Sequence, residues 1–386
     1  MSRDDIQIVK YLPEHRVQVT ELQKDVWGPS AETNAACLDW KHLRNPYVKE
    51  PLIYLAMHGD RVVGMRGFFG AKWQCGSPRQ TFVIPCACDM KIVPEYRNRG
   101  VMTQIMKASL QDLAAKGYRY VFSMSAAPVT LMSQMAMGWR SIGSLQLMRY
   151  AVTEEKKSFP RVRKMLKKSP LVVSLYRRVR GIESKPRSET SGTWDPFNEF
   201  DCNFDQRCHQ IDAPVAVEPA PRPQAMADLV ARIGSDERVQ HVRDAQYFAW
   251  RYQNPYGFYR FLFWGDSPLQ GYLVLRVPVL AYPSCYMVVD WEASNESVRA
   301  DLMRTLLRLD GFEAVGTWSA TLGNDRRRLL EETGFEQVQE SLPKQFSTVL
   351  VHSLDGEQAN TEWLLGNQRL LDLKNWDLRM IYSEGY

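Results

Sequence analysis

Two features of this chain have residue types and spacing suited to chemistry. The first is Val93-Pro94-Glu95-Tyr96-Arg97-Asn98-Arg99-Gly100-Val101-Met102. The stretch leading into it, Thr81 to Val93, is apolar, rich in β-branched and small residues, and reads as a strand. Beyond it, Met102, Ile105, Met106, Leu110 and Leu113 recur at i+3 and i+4, and Gly117 closes the pattern, which predicts a helix opening near Gly100. A glycine-bearing strand-to-helix turn aims several backbone N–H groups one way at the positive end of a helix dipole. Such a turn holds a phosphate or pyrophosphate without needing a cationic side chain. Arg97, Asn98, Arg99, Gly100, Val101, Met102 and Thr103 are therefore candidate anion-binding residues. An ordinary turn with surface arginines is the plainer alternative. The second feature is Asp89, a carboxylate inside the same strand. Desolvation in a half-buried strand raises a carboxyl pKa, which suits a general base. The alternative for Asp89 is a structural carboxylate paired with a cation or capping a backbone group. In a regular strand Cys86 and Cys88 share the opposite face, where one of them could line an acceptor site.

These residues need a frame, and the surrounding pattern supplies one. Ile6 to Tyr11 reads as a first strand and Pro13 to Trp27 as a first helix. Leu52 to Met57 and Arg61 to Gly70 read as a hairpin turning at Gly59-Asp60. Tyr118 to Met124 is a short apolar strand, Pro128 to Met137 a second helix, and Gly138-Trp139 returns the chain to a strand ending near Tyr150. This order, with Pro-x-x-Arg-x-x-Gly between strand and helix, resembles the acetyl-CoA-binding half of the GNAT N-acyltransferase superfamily over about residues 1 to 150. The family's turn is Arg/Gln-x-x-Gly-x-Gly/Ala. Arg97 and Gly100 match it, and Met102 departs from its small residue.

The resemblance implies a mixed, mostly antiparallel sheet flanked by helices and splayed at an acyl-CoA cleft. It implies acetyl-CoA, or another acyl-CoA, as donor and an amine as acceptor. A backbone N–H at Ile92 or Val93 would polarise the thioester carbonyl. The family's usual tyrosine acid falls at Gln134, and the asparagine common at the start of that helix falls at about Ala127. A glutamine delivers no proton, so the usual relay is incomplete and a base must come from elsewhere, Asp89 being the candidate.

An internal repeat accounts for the rest. Trp40-Lys41-His42-Leu43-Arg44-Asn45-Pro46-Tyr47 is echoed by Trp250-Arg251-Tyr252-Gln253-Asn254-Pro255-Tyr256. Each precedes a hairpin-like pair, the second being Arg260 to Trp264 and Gly271 to Val277 around Gly265-Asp266. Cys88-Asp89-Met90 corresponds to Val289-Asp290-Trp291, the helix Val101 to Ala115 to Val298 to Leu309, and Gly138-Trp139 to Gly334-Phe335. Recurrence of the same order at similar spacing predicts two tandem GNAT-like α/β domains. The expected boundaries are 1–153 for a domain with the phosphate turn, 154–210 for a basic linker and 211–386 for a degenerate copy. Where the first copy has Arg97-Asn98-Arg99-Gly100, the second has Ser294-Asn295-Glu296-Ser297. Without glycine, and with a cap residue and a carboxylate at the helix start, the second copy should not bind CoA.

Charge is concentrated. Residues 156–187 carry twelve Lys or Arg and one acid, Glu183, a net of +11 that leaves the rest of the chain at −6 against a total of +5. An anionic membrane surface suits such a stretch, which also holds Leu171, Val172, Val173 and Leu175. A solvated linker is the plainer reading, and no nucleic-acid module accompanies the charge. Seven cysteines without scaffold-like spacing, and a start at Met1-Ser2-Arg3-Asp4-Asp5 with no apolar core, predict reduced thiols in a cytoplasm, with membrane contact at most peripheral. Cys202, Cys208 and His209 lack a second ligand pair, so no metal is expected. Tandem chains of this size resemble bacterial cell-envelope and exopolysaccharide proteins that acylate amino sugars. The expected function is N-acyl transfer from acyl-CoA to an amine. The competing expectation is a non-catalytic, acyl-CoA-sensing or interaction protein. Aminoacyl or long-chain acyl transfer on the same fold is a third.

Overall fold

A computed structural model describes residues 6–24, 26–28, 30–124, 128–152, 214–277, 285–309, 312–338, 348–355 and 362–383. The basic stretch 156–187, Ala127 and the Cys202, Cys208 and His209 group lie outside the described residues. The first half opens with β1 (Ile6–Lys10), a 3₁₀ turn at Pro13–His15, α1 (Arg16–Gln23) and α2 (Ala31–Leu38). The expected single helix to Trp27 is thus a shorter one. The chain then turns, and a second helix starts under a Ser30 cap whose Oγ accepts the Thr33 N–H at 3.1 Å. Next come β2 (Leu52–His58), β3 (Arg61–Cys75), β4 (Gln80–Ile92), α3 (Val101–Ala115), β5 (Tyr120–Ser123), α4 (Pro128–Ala136), β6 (Arg140–Ser144) and β7 (Leu147–Ala151). The second half runs β8 (Val215–Glu218), α5 (Pro223–Ile233), β9 (Gln240–His241), α6 (Ala245–Arg251), β10 (Phe258–Trp264), β11 (Gly271–Val277) and β12 (Cys285–Ala293). It continues with α7 (Glu296–Arg308), β13 (Ala314–Trp318), α8 (Asn324–Glu332), β14 (Glu336–Gln337) and β15 (Thr348–Ser353).

Apart from a two-residue hairpin pairing Leu364–Leu365 with Gln368–Arg369, the described strands form two mixed sheets of matching order. The first is β1-β2-β3-β4-β5-β15-β6, with β9 pairing on β3, and the second is β8-β10-β11-β12-β13-β7-β14. In each, only the fourth and fifth strands in line are parallel, β4 with β5 and β12 with β13. The last long strand of each half has crossed over. β15, from the second half, fills the place between β5 and β6, and β7, from the first, fills the place between β13 and β14.

The packing follows the periodicity. Val101, Ile105, Met106 and Leu113 of α3 are buried against Leu52, Phe68, Ala87 and Val121 of the first sheet. A larger aromatic core, including Trp40, Trp73, Phe122, Trp250, Tyr272, Trp376 and Tyr382, joins the halves. At its centre the two repeated tryptophans exchange bonds. Trp40 Nε1 donates to the Trp250 carbonyl at 2.8 Å, Trp250 Nε1 donates to the Trp40 carbonyl at 2.9 Å, and the rings stack with centroids 5.6 Å apart.

Candidate active site

The phosphate turn is built as its residue types require. After β4, a 3₁₀ turn at Pro94–Tyr96 leads into Arg97, Asn98, Arg99 and Gly100. Asn98 (φ +59°) and Gly100 (φ +79°) are left-handed, a conformation glycine adopts without strain and asparagine tolerates. Gly100 is the N-cap of α3, and no side chain caps the helix. The first N–H groups of α3, at Val101, Met102 and Thr103, therefore keep their donors for an anion. Arg97, Asn98 and Arg99 are exposed around them. Arg97 Nε donates to the Ile92 carbonyl at 3.1 Å, and Arg99 stacks over the Tyr96 ring at 5.7 Å.

The second half closes the equivalent place. The Asn295 side chain caps α7, its Oδ1 accepting the Val298 N–H at 3.0 Å, and Glu296 sits in the first turn. The residues that the sequence separates into a binding and a non-binding helix start thus differ in the structure as well. The first start leaves its leading N–H groups without a side-chain cap, and the second has one of them taken by Asn295.

β4 opens toward the turn. Its parallel pairing with β5 is at Cys86 and Phe122, while β4 itself continues to Ile92. Between the Met65–Lys91 and Gly67–Cys88 pairs, β4 spends one residue more than β3, so a bulge lies at Asp89 and Met90. Val93 donates its N–H to the Val63 carbonyl at 3.0 Å. Antiparallel pairs alternate, so the neighbouring Ile92–Gly64 pair is the non-bonded kind, and the Ile92 N–H and C=O point away from β3. Of the two residues that the resemblance offers as carbonyl polarisers, only Ile92 has its donor on the open side.

Asp89 corrects the expectation placed on it. Its side chain is fully enclosed. Trp27 Nε1 donates to Oδ1 at 2.7 Å, Lys41 Nζ lies 2.8 Å from Oδ1, and His42 Nε2 lies 2.9 Å from Oδ2. Burial pushes the carboxyl pKa up, but the Lys41 charge and the His42 hydrogen bond outweigh it and hold the group well below the usual carboxylate range. A base needs a pKa near the working pH and contact with the reacting proton, and Asp89 has neither. Burial holds His42 below the ordinary imidazole value despite Asp89, so the ring is neutral and gives its Nε2 proton to the carboxylate.

Cys88 Sγ stands 4.0 Å from that same Nε2, which is already committed, so no thiolate-generating dyad forms. His42, Cys88 and Asp89 bring donor atoms within 4.8 Å of one another, a set a metal could use. The Lys41 ammonium already supplies the positive charge that a metal would bring, and the arrangement is that of an ion pair. Cys86 and Cys88 are buried and in no disulfide. Gln134 is fully buried, and neither atom of its amide has a hydrogen-bond partner. Lys41, His42 and Trp27 are the residues that the sequence reading missed. For Lys41 and His42 the signal was the repeat itself, whose first copy is one residue longer between tryptophan and asparagine, and for Trp27, outside the repeat, there was none.

Residues 8–139 match the family model described as Acetyltransferase (GNAT) domain. The first half of the chain carries a GNAT domain. No curated protein matches the sequence. The whole fold is similar to solved structures. One is a GCN5-related N-acetyltransferase from Anabaena variabilis ATCC 29413, at 12% identity and TM-score 0.56, covering 91% of this chain and 73% of that one. Another is a probable N-acyltransferase, described as a conserved protein of unknown function, from Enterococcus faecalis V583, at 10% identity and TM-score 0.57, covering 90% and 72%. A third is a GCN5-related N-acetyltransferase from Kribbella flavida, at 13% identity and TM-score 0.52, covering 91% and 72%. GNAT enzymes take acetyl-CoA as acyl donor. Among the described residues no helix is long and apolar enough to cross a membrane.

Proposed function

We propose that the chain is an acyl-CoA-dependent N-acyltransferase that holds one donor, in its first half. The carrying observation is that one end of the first sheet combines an uncapped helix start at Gly100 with an outward-facing N–H at Ile92. Arg97 to Thr103 would hold the pyrophosphate, and the Ile92 N–H would polarise the acyl carbonyl. Bound there, an acyl-CoA supplies the activated thioester. The second half is a degenerate copy that walls the acceptor side. The acceptor is an amine entering between the halves. The resemblance to envelope and exopolysaccharide proteins favours an amino sugar, and an anionic membrane as partner of 156–187 rests on charge alone. Neither Asp89 nor Gln134 exchanges a proton with the reactants, so the rate should follow the fraction of acceptor present as free amine.

Gln134 also favours a second reading, a protein that binds acyl-CoA without turning it over. Calorimetry with acetyl-CoA should give one site per chain. Gly100→Asp, which adds a side chain at a left-handed position and a like charge beside the pyrophosphate, should weaken binding by ~10²-fold or more, at about 1.4 kcal/mol per tenfold. Two sites, or unchanged affinity in the variant, overturns the assignment. Binding with no acylated product across a broad amine and amino-sugar panel would select the non-catalytic reading.

A further inference from the structure

Trp40 and Asn45 are five residues apart, whereas Trp250 and Asn254 are four apart. The structure shows where the extra residue goes. Asp39–Leu43 is a π-helical turn, closed by the Arg44 N–H on the Asp39 carbonyl at 2.7 Å. Such one-residue insertions into helices occur disproportionately at functional sites. Here the wider turn carries Lys41 and His42 to the bulge of β4. In the shorter copy Arg251, the counterpart of Lys41, bonds instead to the carbonyls of Ile381 and Ser383.

β12 has a bulge of its own, at Val289 between the Val274–Asp290 and Leu275–Val288 pairs, and the two differ. Asp89 has a left-handed backbone, φ +47°, and its counterpart Asp290 does not. Gly67, facing the bulge, leaves room for the imidazole. A Cβ there would stand 3.0 Å from His42 Cε1 and 3.2 Å from Cys88 Sγ. The bulge adds one residue to β4 and so shifts by one the alternation that decides which N–H faces the open side.

We propose that Trp27, Lys41 and His42 lock Asp89 in its left-handed conformation, and that this lock fixes the register in which Ile92 presents its N–H to the acyl carbonyl. The four are positioning residues, and Asp89 takes no proton. The proposal rests on the acyl-transfer reading for its catalytic meaning, but the lock itself is a property of the free protein. Lys41 and Trp40 are neighbours, so the reciprocal Trp40–Trp250 bonds tie the lock to the second half and give that half a mechanical role.

The test compares wild type, Asp89→Asn and the double variant Lys41→Met/Asp89→Asn, which removes both buried charges together and keeps a residue that tolerates the left-handed region. In the free protein, amide exchange in the peptide spanning 86–93 should quicken at least ~10-fold in either variant, with peptides of the second sheet unchanged. With acetyl-CoA, kcat should fall ~10²-fold while affinity for free CoA stays within ~3-fold of wild type. The isotope-edited carbonyl stretch of bound acetyl-CoA should move back toward its value in water. The acid limb of the pH–rate profile should keep its shape. Unchanged exchange in a folded double variant overturns the lock, and loss of the acid limb in either variant restores Asp89 as a base. Absence of CoA binding in wild type overturns the acyl-transfer reading, and exchange in the free protein still decides the lock.

Discussion

The two clefts of this molecule are built on one scaffold and end in opposite ways. In the first, Met90 to Val93 are partly exposed and the helix beyond is uncapped. In the second, Trp291, Glu292 and Ala293 are buried, and Asn295 caps the helix. Trp291 and Ala293 pack into the core beneath α7, and the C-terminal segment lies against the carboxylates beside them. Arg379 bonds to Asp290 at 3.0 Å, to the Trp291 carbonyl at 2.6 Å and to Glu292. Arg243 reaches Asp290 and Glu292, and Arg326 reaches Glu292. Burial pushes the Glu292 carboxyl up, but Arg379, Arg326 and Arg243 hold it well below the ordinary carboxylate range. The difference teaches that the fold does not by itself specify a cofactor. One strand end and one helix start are where the two halves differ, open in the first and occupied by the chain's own side chains in the second.

The largest way to break the comparison is to separate the halves. Each sheet takes a strand of its main path from the other half, β15 between β5 and β6 and β7 between β13 and β14, and the first sheet also takes the short β9 on β3. A fragment 1–153 loses β15, leaves facing edges of β5 and β6 unpaired and exposes the apolar face that Trp40 shares with Trp250. It should show no cooperative unfolding transition by circular dichroism. The fragment 211–386, lacking β7, should behave alike, and co-expression should restore a folded complex. A fragment 1–153 that melts cooperatively and binds acetyl-CoA at the affinity of the whole chain would show the halves to be independent.

The strand crossing also marks what the sequence could not reveal. Periodicity located β2 to β5, α3 and α4, because each carries its own apolar pattern. The repeat located β10 to β12 and α7. Both sources report local structure, and neither says in which sheet a strand lies, so the strand expected after Gly138-Trp139 and ending near Tyr150 is in fact two, β6 and β7, in different sheets, and β15 was not anticipated. α2 went unread although Ser30 and the residues after it form a legible cap. Its single turn of polar Glu32, Thr33 and Asn34 masks the apolar stripe. The phosphate turn was legible because glycine and helix start are contiguous. The environment of Asp89 was not, because Trp27, Lys41 and His42 reach it from 62, 48 and 47 residues away. Burial alone argued for a raised pKa, and the buried cation reversed it.

A second, smaller effect comes from histidines that both halves bury neutral. Burial lowers the pKa of His42, in the π turn of the first half, and of His241, on β9 of the second, below the ordinary 6.5. Unfolded imidazoles protonate as pH falls through that value and the folded ones do not, so the unfolded state binds more protons and stability drops. Each contributes a slope of about 1.4 kcal/mol per pH unit below pH 6.5, until its folded pKa is reached. Asp89, Glu292 and Asp377 are shifted down, so their contribution persists above the ordinary carboxylate range and is lost only at lower pH. Urea midpoints should therefore fall in two stages. His42→Gln and His241→Gln should each flatten part of the first stage, to which His352, likewise held below 6.5 by burial, adds its own share. If one variant flattens it fully, the two halves do not share the burden and the symmetry fails at this point.

The smallest effect sharpens what closes the second cleft. Asn295→Ala removes the bond from Oδ1 to the Val298 N–H and should cost about 1 kcal/mol. In a protein of this size that is a fall in melting temperature of about 2 °C or less. Acetyl-CoA stoichiometry should remain one per chain. Uncapping the helix leaves Arg379 on Asp290 and Glu292, so the cleft stays filled even when its helix start is freed. A second, weaker equivalent of acetyl-CoA in calorimetry of Asn295→Ala would mean that the cap, and not the C-terminal segment, is what silences the second half. The same titration on a variant with Arg379→Met would then show no further gain. With stoichiometry unchanged, the arginine and carboxylate network is the closure, and the cap only completes a helix that no longer has a ligand to meet.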